Sequence, residues 1–352
     1  VSHPAANLLS IGTAVPPHIL TQEEIAERTR RVFGLRMPEY ERIAPVFETA
    51  GIVKRHAVRP GAWYEDEHSW SDRTGVYLEA AADLFVAAAQ KALDRAGLEG
   101  ADIDTVITVS STGIATPSLE SRVAHRLGFG PRVARVPVFG LGCAGGVTGL
   151  GIASRLAVSR PGTNVLMVAV ELCTLAVRLD QMTKANIVAL ALFGDGAAAA
   201  VVTSGDGGLA SLGASGEHMW PGTRDIMGWS VDPQGFGVIF DRSIPPFAEE
   251  HLAPAIRAIL GSTNTERSHI DRYVCHPGGR KVIEAIESAL GLQSESLDHE
   301  RAVLAHYGNM SAPTALFVLD RVIERGLPSR CLTMALGPGF TVSTIGVERP
   351  RA

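Results

Sequence analysis

A repeated order of segments constrains this chain more than any single motif. Ile103-Asp-Thr-Val-Ile107 is a short β-branched run flanked by helical patterns, and Ile270-Asp-Arg-Tyr-Val274 stands in a matching setting in the second half. Both carry Ile-Asp before the apolar stretch. In the first half an alanine-rich helical pattern over 77–98 precedes the run. A helix over 118–127, a strand over 135–139 and a helix to about Arg160 come after it, then strands over 164–170 and 196–203. The second half predicts a helix over 246–260, a strand over 270–276 and a helix over 280–290. A helix opening near Asn309 and strands over 331–336 and 340–347 complete it. Two halves sharing a β-α-β-α plan imply an α/β fold with a pseudo-twofold relation. The join falls in Ser204-Gly-Asp-Gly-Gly208, which divides the chain into 1–206 and 207–352.

The echo draws attention to the residues that open the helices. Pro137-Val-Phe-Gly-Leu-Gly-Cys-Ala-Gly-Gly-Val147 runs from a strand through a glycine-rich turn into a helix, so the Cys143 thiol stands at a helix N-terminus. Free backbone N–H groups and the macrodipole favour negative charge there, and thiol pKa values fall in such places. Asn309 occupies the corresponding position in Tyr307-Gly-Asn-Met310, read as opening the helix after the second strand of its half. His276 ends the strand-like run Tyr273-Val-Cys-His276. Sites in open α/β sheets form at strand C-terminal ends, so the three residues converge if the halves pack about a twofold axis.

That trio suits thioester chemistry. An imidazole next to a thiol stabilises the thiolate as an ion pair. An asparagine amide and a histidine N–H both donate to an oxygen that gains charge, which stabilises the enolate left when a malonyl thioester loses CO2. Gly142-Cys-Ala-Gly-Gly146, Leu192-Phe-Gly-Asp-Gly-Ala197, His276-Pro-Gly-Gly279, Tyr307-Gly-Asn-Met-Ser311 and Gly337-Pro-Gly-Phe-Thr341 stand in the order seen in type III polyketide synthases, and the chain resembles these chalcone-synthase-like enzymes from Ile11 to Gly346. The resemblance implies a thiolase-like fold, a five-layer αβαβα sandwich, and a homodimer. It implies an acyltransferase that extends acyl-CoA starters with malonyl-CoA and uses no further cofactor. By resemblance Cys143 carries the chain, His276 and Asn309 drive decarboxylation, and Phe193 is the gate between a CoA tunnel and the cavity.

Cavity positions carried over by resemblance are mostly small: Thr112, Thr116, Cys173 and Ala176, with Gly337, Pro338 and Gly339 shaping the cyclisation pocket. The Thr112–Cys173 pairing resembles bacterial enzymes that admit long acyl chains. An apolar lining favours a fatty tail by about 0.8 kcal/mol per buried CH2. The expected starter is a medium- or long-chain acyl-CoA, and the expected product an alkylpyrone or alkylresorcinol. Ile43, Val46 and Ala50 stand where related enzymes carry basic residues. Arg55, Arg280 and Lys281 are therefore the candidates for the CoA phosphates.

Composition excludes several classes. The net charge is −5 with acids and bases interspersed, so no nucleic-acid footprint is expected. The four cysteines at 143, 173, 275 and 331 form no CxxC pair, which argues against a disulfide frame or zinc site and suits a reducing cytoplasm. Cys275 and Cys331 read as core. No stretch is long and apolar enough to span a membrane, and the first residues do not form a secretory signal pattern. Two other activities fit the trio: a ketoacyl synthase III making one condensation, and a Cys-His-Asn thioester hydrolase.

Overall fold

The computed structural model describes residues 6–205, 207–263 and 265–350. The first part of the chain runs β1 (Ala6–Ala14), β2 (His18–Thr21), α1 (Gln22–Phe33), the single turns α2 (Tyr40–Ile43) and α3 (Val46–Thr49), β3 (Lys54–Ala57), and α4 (Trp70–Ala96). Then come β4 (Thr105–Val109), α5 (Leu119–Leu127), β5 (Ala134–Val138), α6 (Gly145–Ser159), β6 (Asn164–Leu172), α7 (Lys184–Leu192) and β7 (Asp195–Ser204). The second part runs β8 (Ala210–Met219), the hairpin β9 (Met227–Asp232) and β10 (Gly235–Phe240), α8 (Ile244–Ser262), β11 (Arg272–Cys275), α9 (Arg280–Leu290) and α10 (Asp298–Tyr307). It closes with α11 (Ala312–Glu324), β12 (Arg330–Gly337) and β13 (Thr341–Glu348).

One sheet of nine strands carries both halves, in the order β11-β12-β13-β8-β1-β7-β6-β4-β5. β4 lies parallel to β5 and β6, and β11 parallel to β12; the remaining pairs are antiparallel. β1 bridges the halves by pairing with β7 along its length and with β8 at Ala6–Leu8.

Helices explain the layering. α6 and α11 pack against strands of both halves, β6 and β7 on one side and β12 on the other, and against each other. α4 and α5 cover the outer face of β4, β6 and β7, while α8 and α9 pack over the second half. Among the described residues four apolar cores result, one central, two outer and a smaller one where α1, α2 and α3 meet α7. The expected thiolase-like sandwich of alternating helical and sheet layers is the architecture the chain forms. Strands at the centre are buried on both faces, so they read as unbroken apolar runs rather than as alternation. Ala197–Ala200 of β7 are fully buried, and their small side chains let helices approach from both sides.

α4 begins with a capping box in which the Ser69 hydroxyl and the Asp72 carboxylate each accept from the other's backbone N–H, and it ends at Gly97 with φ 67. The helix starts seven residues before the apolar pattern suggests. The echo departs from expectation in one respect. The segment before Asn309 is helix α10, not a second strand, and Asn309 joins the first half through a bridge to Phe193. Its equivalence to Cys143 lies in the helix each residue precedes: α6 and α11 are the two central helices.

Candidate active site

Cys143 lies in a short 3-10 turn, Gly142–Ala144, that feeds directly into α6. The turn is tightly built. Gly142 has φ 47, and a Cβ there would lie 2.7 Å from Pro338. Only glycine meets both demands. Its N–H, with that of Gly140, donates to the Ser111 hydroxyl at 3.2 Å. Ser111 and Thr112 are held in turn by the buried Glu171 carboxylate, which accepts from both backbone N–H groups and from the Thr112 hydroxyl at 2.7–3.0 Å.

The start of α11 comes equally close. A Cβ on Gly146 would lie 2.2 Å from the Ala312 carbonyl oxygen, so α6 and α11 cross in near backbone contact. The residues just ahead of the two helices therefore meet. Cys143 Sγ lies 4.0 Å from Asn309 Oδ1. That oxygen also accepts from the Ser311 N–H at 2.8 Å, and Asn309 Nδ2 donates to the Gly278 carbonyl at 3.2 Å. Ser311 has φ 58 and ψ −129, a rare conformation for a residue with a side chain.

His276 is buried beside the same glycine turn, its Cδ2 3.8 Å from where a Gly278 Cβ would stand. Neither ring nitrogen has a hydrogen-bond partner among the described residues. Unpaired buried polar atoms are costly and rare, so the ring is poised for a partner arriving from outside. Burial pulls the imidazole down to about 3 and pushes the Cys143 thiol up to about 11. Each group alone is thus neutral near neutral pH.

The other expected residues divide. Phe193 sits at the end of α7, its N–H bonded to Ala189 and its ring edge-on to Trp229 at a centroid distance of 6.0 Å. Gly194 N–H donates to the Asn309 carbonyl at 3.0 Å, which places Phe193 beside the trio. Cys173 and Ala176 are buried in a short 3-10 turn after β6, and Cys173 packs in the same apolar cluster as Phe193 and Val238. Thr112 is buried, its hydroxyl occupied by Glu171 and the Leu172 N–H. Gly337 and Pro338 press on the Gly142–Ala144 turn, so they buttress the thiol, and Gly339 makes the β12–β13 turn.

Two expectations are corrected. Thr116 is exposed and does not join the buried group in this chain. Arg55 is not at a tunnel mouth. β3 alternates, and the buried Arg55 points inward, its Nη1 donating to the carbonyls of Leu190 at 2.7 Å and Phe193 at 3.2 Å. Arg280 and Lys281 do line an open groove of about 630 Å³ that reaches Gly278 and Leu192. Arg42, Lys184 and Arg242 line it as well. Sequence reasoning missed these three because it sought cations at fixed spacings; Arg42 stands next to the very Ile43 that looked like a loss. Glu171, Ser111 and Ser311 were missed too. A lone carboxylate inside an apolar strand, as in Val168-Ala-Val-Glu-Leu172, was the available signal for Glu171.

Residues 1–206 match the N-terminal domain model of chalcone and stilbene synthases, and residues 211–349 match the C-terminal one. The chain belongs to the chalcone and stilbene synthase family. This chalcone-synthase-family chain is 35% identical to a putative chalcone synthase of Bacillus subtilis (strain 168), covering 96% of each. It is 36% identical to a 1,3,6,8-tetrahydroxynaphthalene synthase of Streptomyces peucetius subsp. caesius, covering 95% of this chain and 90% of that one. The crystal structure of the 1,3,6,8-tetrahydroxynaphthalene synthase of Streptomyces coelicolor A3(2), a bacterial type III polyketide synthase, superposes with a TM-score of 0.93 at 31% identity, over 98% of this chain and all of that one. The chain is a type III polyketide synthase and hence an acyltransferase. No helix among the described residues is long and apolar enough to cross a membrane.

Proposed function

We propose that Cys143 takes an acyl group from an acyl-CoA and that His276 and Asn309 decarboxylate malonyl-CoA to extend it. The observation that carries this reading is the shared carboxamide. Asn309 has sulfur at 4.0 Å on its oxygen side, and its amide nitrogen points at the turn that holds the unpartnered His276 ring.

The thiol gives its proton to His276, and Sγ bonds to the thioester carbonyl carbon. The C–S bond to CoA breaks, and the imidazolium returns the proton to the departing thiolate. Malonyl-CoA then loses CO2, and the electron pair moves onto its thioester oxygen. Asn309 Nδ2 and a His276 N–H donate to that oxygen, and one such donor is worth about 3–4 kcal/mol of barrier. The enolate carbon attacks the Cys143 thioester, a C–C bond forms, and sulfur leaves as thiolate. The groove rimmed by Arg42, Lys184, Arg242, Arg280 and Lys281 would hold the CoA phosphates. Leu192, the residue before Phe193, lines that groove, which supports Phe193 as the gate at its inner end.

Apolar Cys173 and Val238, clustered with Phe193, support a medium- or long-chain acyl starter, closing to an alkylpyrone or alkylresorcinol. A second reading is malonyl-CoA as its own starter. Trp229 edge-on to Phe193 favours it by narrowing the same space. Purified protein given malonyl-CoA alone, and then with hexanoyl- to palmitoyl-CoA, separates the two by product mass. Turnover that falls steadily as the starter lengthens removes the long-chain reading. We also propose a homodimer, since Phe139 is exposed directly after β5, the open edge of the sheet, and Ile114 is a second exposed large apolar side chain. Light scattering of a monomer at micromolar concentration would remove it.

A further inference from the structure

The Lys54-Arg55-His56 cluster is split by strand geometry. Arg55 faces the interior, while Lys54 and His56 face a separate cavity of about 410 Å³ between β3, α4, α10 and α11. Lys91 of α4 and Arg321 of α11 line it from the other sides, and Tyr307 and Phe317 supply an apolar wall. None of the cations at the CoA groove lines it.

Its charges do not cancel. Asp320 and Glu324 also line it, and Arg95 engages both, at 3.1 and 3.4 Å. Lys54 and Lys91 pair with no carboxylate among the described residues, and Lys91 makes only a 3.5 Å contact to the Thr13 carbonyl. Arg321 spends Nε on His299 Nδ1 at 3.1 Å. With Arg95 counted, two positive charges remain in excess. A phosphate monoester carries about two negative charges near neutral pH, and the cavity falls within the small-ligand range.

We propose that this cavity is a second anion site for a small phosphate-bearing molecule, separate from the CoA groove, and that its occupancy alters condensation. The route is short. Lys54 and His56 flank Arg55, which holds the Phe193 carbonyl, and Tyr307 lies two residues before Asn309 and stacks on His56 at 5.9 Å. The binding claim stands apart from the proposed catalytic roles; the effect on turnover rests on them.

Inorganic pyrophosphate at constant ionic strength is the probe, titrated calorimetrically into protein whose groove is already filled by saturating CoA. Lys54→Ala/Lys91→Ala is expected to lose about tenfold or more in affinity, two charge-assisted contacts being removed. Arg280→Ala/Lys281→Ala should bind as the wild type does. Lys54→Gln/Lys91→Gln serves as the second variant if the first melts early. Loss in the groove variant with retention in the cavity variants, loss in both, no binding to the wild type, or equal binding of citrate each overturns the site. Pyrophosphate should also change wild-type kcat at saturating malonyl-CoA and leave kcat of the cavity variants unmoved. If binding follows the pattern and kcat does not change, the coupling fails while the site stands. If the wild type makes no condensation product at all, the catalytic reading fails instead.

Discussion

Arg55 supports Phe193 from within the fold, donating to its carbonyl oxygen at 3.2 Å while fully buried beside Asp195. Burial pulls the guanidinium down to about 9, still charged at neutral pH, and Asp195 opposes that pull. Asp195 in turn accepts from Val58 N, Thr174 N and the Thr174 hydroxyl. Arg55→Met removes the donor, leaves the Leu190 and Phe193 carbonyls short of a partner and takes the nearby positive charge from the buried Asp195 carboxylate. The expected cost is roughly 3–5 kcal/mol, read by urea unfolding. Arg55→Lys should recover only part of it, because a single ammonium lacks the planar fork. Wild-type stability in Arg55→Met contradicts the assignment.

The crossing of α6 and α11 makes a sharper demand at Gly146. A methyl group there meets the Ala312 carbonyl, which is backbone and does not swing away. Gly146→Ala is expected to lose roughly 1–3 kcal/mol and to move Cys143 away from Asn309, lowering kcat more than KM. An active, fully stable Gly146→Ala protein would show that the close crossing does not set the site.

The thiol and imidazole give a pH prediction. Burial, reinforced by Glu171 and opposed by hydrogen bonds from Ser311 and Asn309, holds Cys143 near 11, above an ordinary thiol, so the proposed mechanism draws the thiolate's stabilisation from the ring's positive charge. His276→Ala should shift the iodoacetamide alkylation midpoint of Cys143 above about pH 9, while the wild type reacts at lower pH. Identical midpoints in the two proteins would remove His276 from the proton path.

Glu171 supplies a stability test with a definite sign. Burial raises its carboxyl from 4.5 to about 7, against hydrogen bonds from Ser111 and Thr112 that lower it. A group raised on folding contributes stability below its unfolded pKa and loses it as pH rises through the folded one. Relative to Glu171→Gln, the wild type should therefore lose on the order of 3 kcal/mol between about pH 4.5 and 8. Asp195 and Glu300, raised to about 6 and 7, titrate alike in both proteins and cancel. A flat difference across that range contradicts a buried, raised Glu171.

Local pattern decided how much the sequence revealed. α9 over 280–290 was legible to the residue because its apolar positions recur at helical spacing and Gly291 ends it with φ 59. Cys143, His276 and Asn309 stood out because each interrupts a regular element at a glycine turn. β9 and β10 were not legible: Met227–Phe240 is a two-stranded hairpin outside the main sheet, with no clean alternation, and it is held by Arg178 on Asp232 at 2.7 Å. The direction of Arg55 was hidden too. Only the register of β3 decides which of three adjacent basic residues turns inward, and a one-residue slip would have reversed it.

The central claim is that Cys143 carries the acyl chain beside Asn309 and His276. The most direct test is peptide mass spectrometry of protein quenched during turnover with an acyl-CoA starter. The account predicts an acyl adduct on the Cys143 peptide and none in Cys143→Ala, which makes no product. An adduct confined to Cys173, Cys275 or Cys331, or product formed by Cys143→Ala, would contradict it.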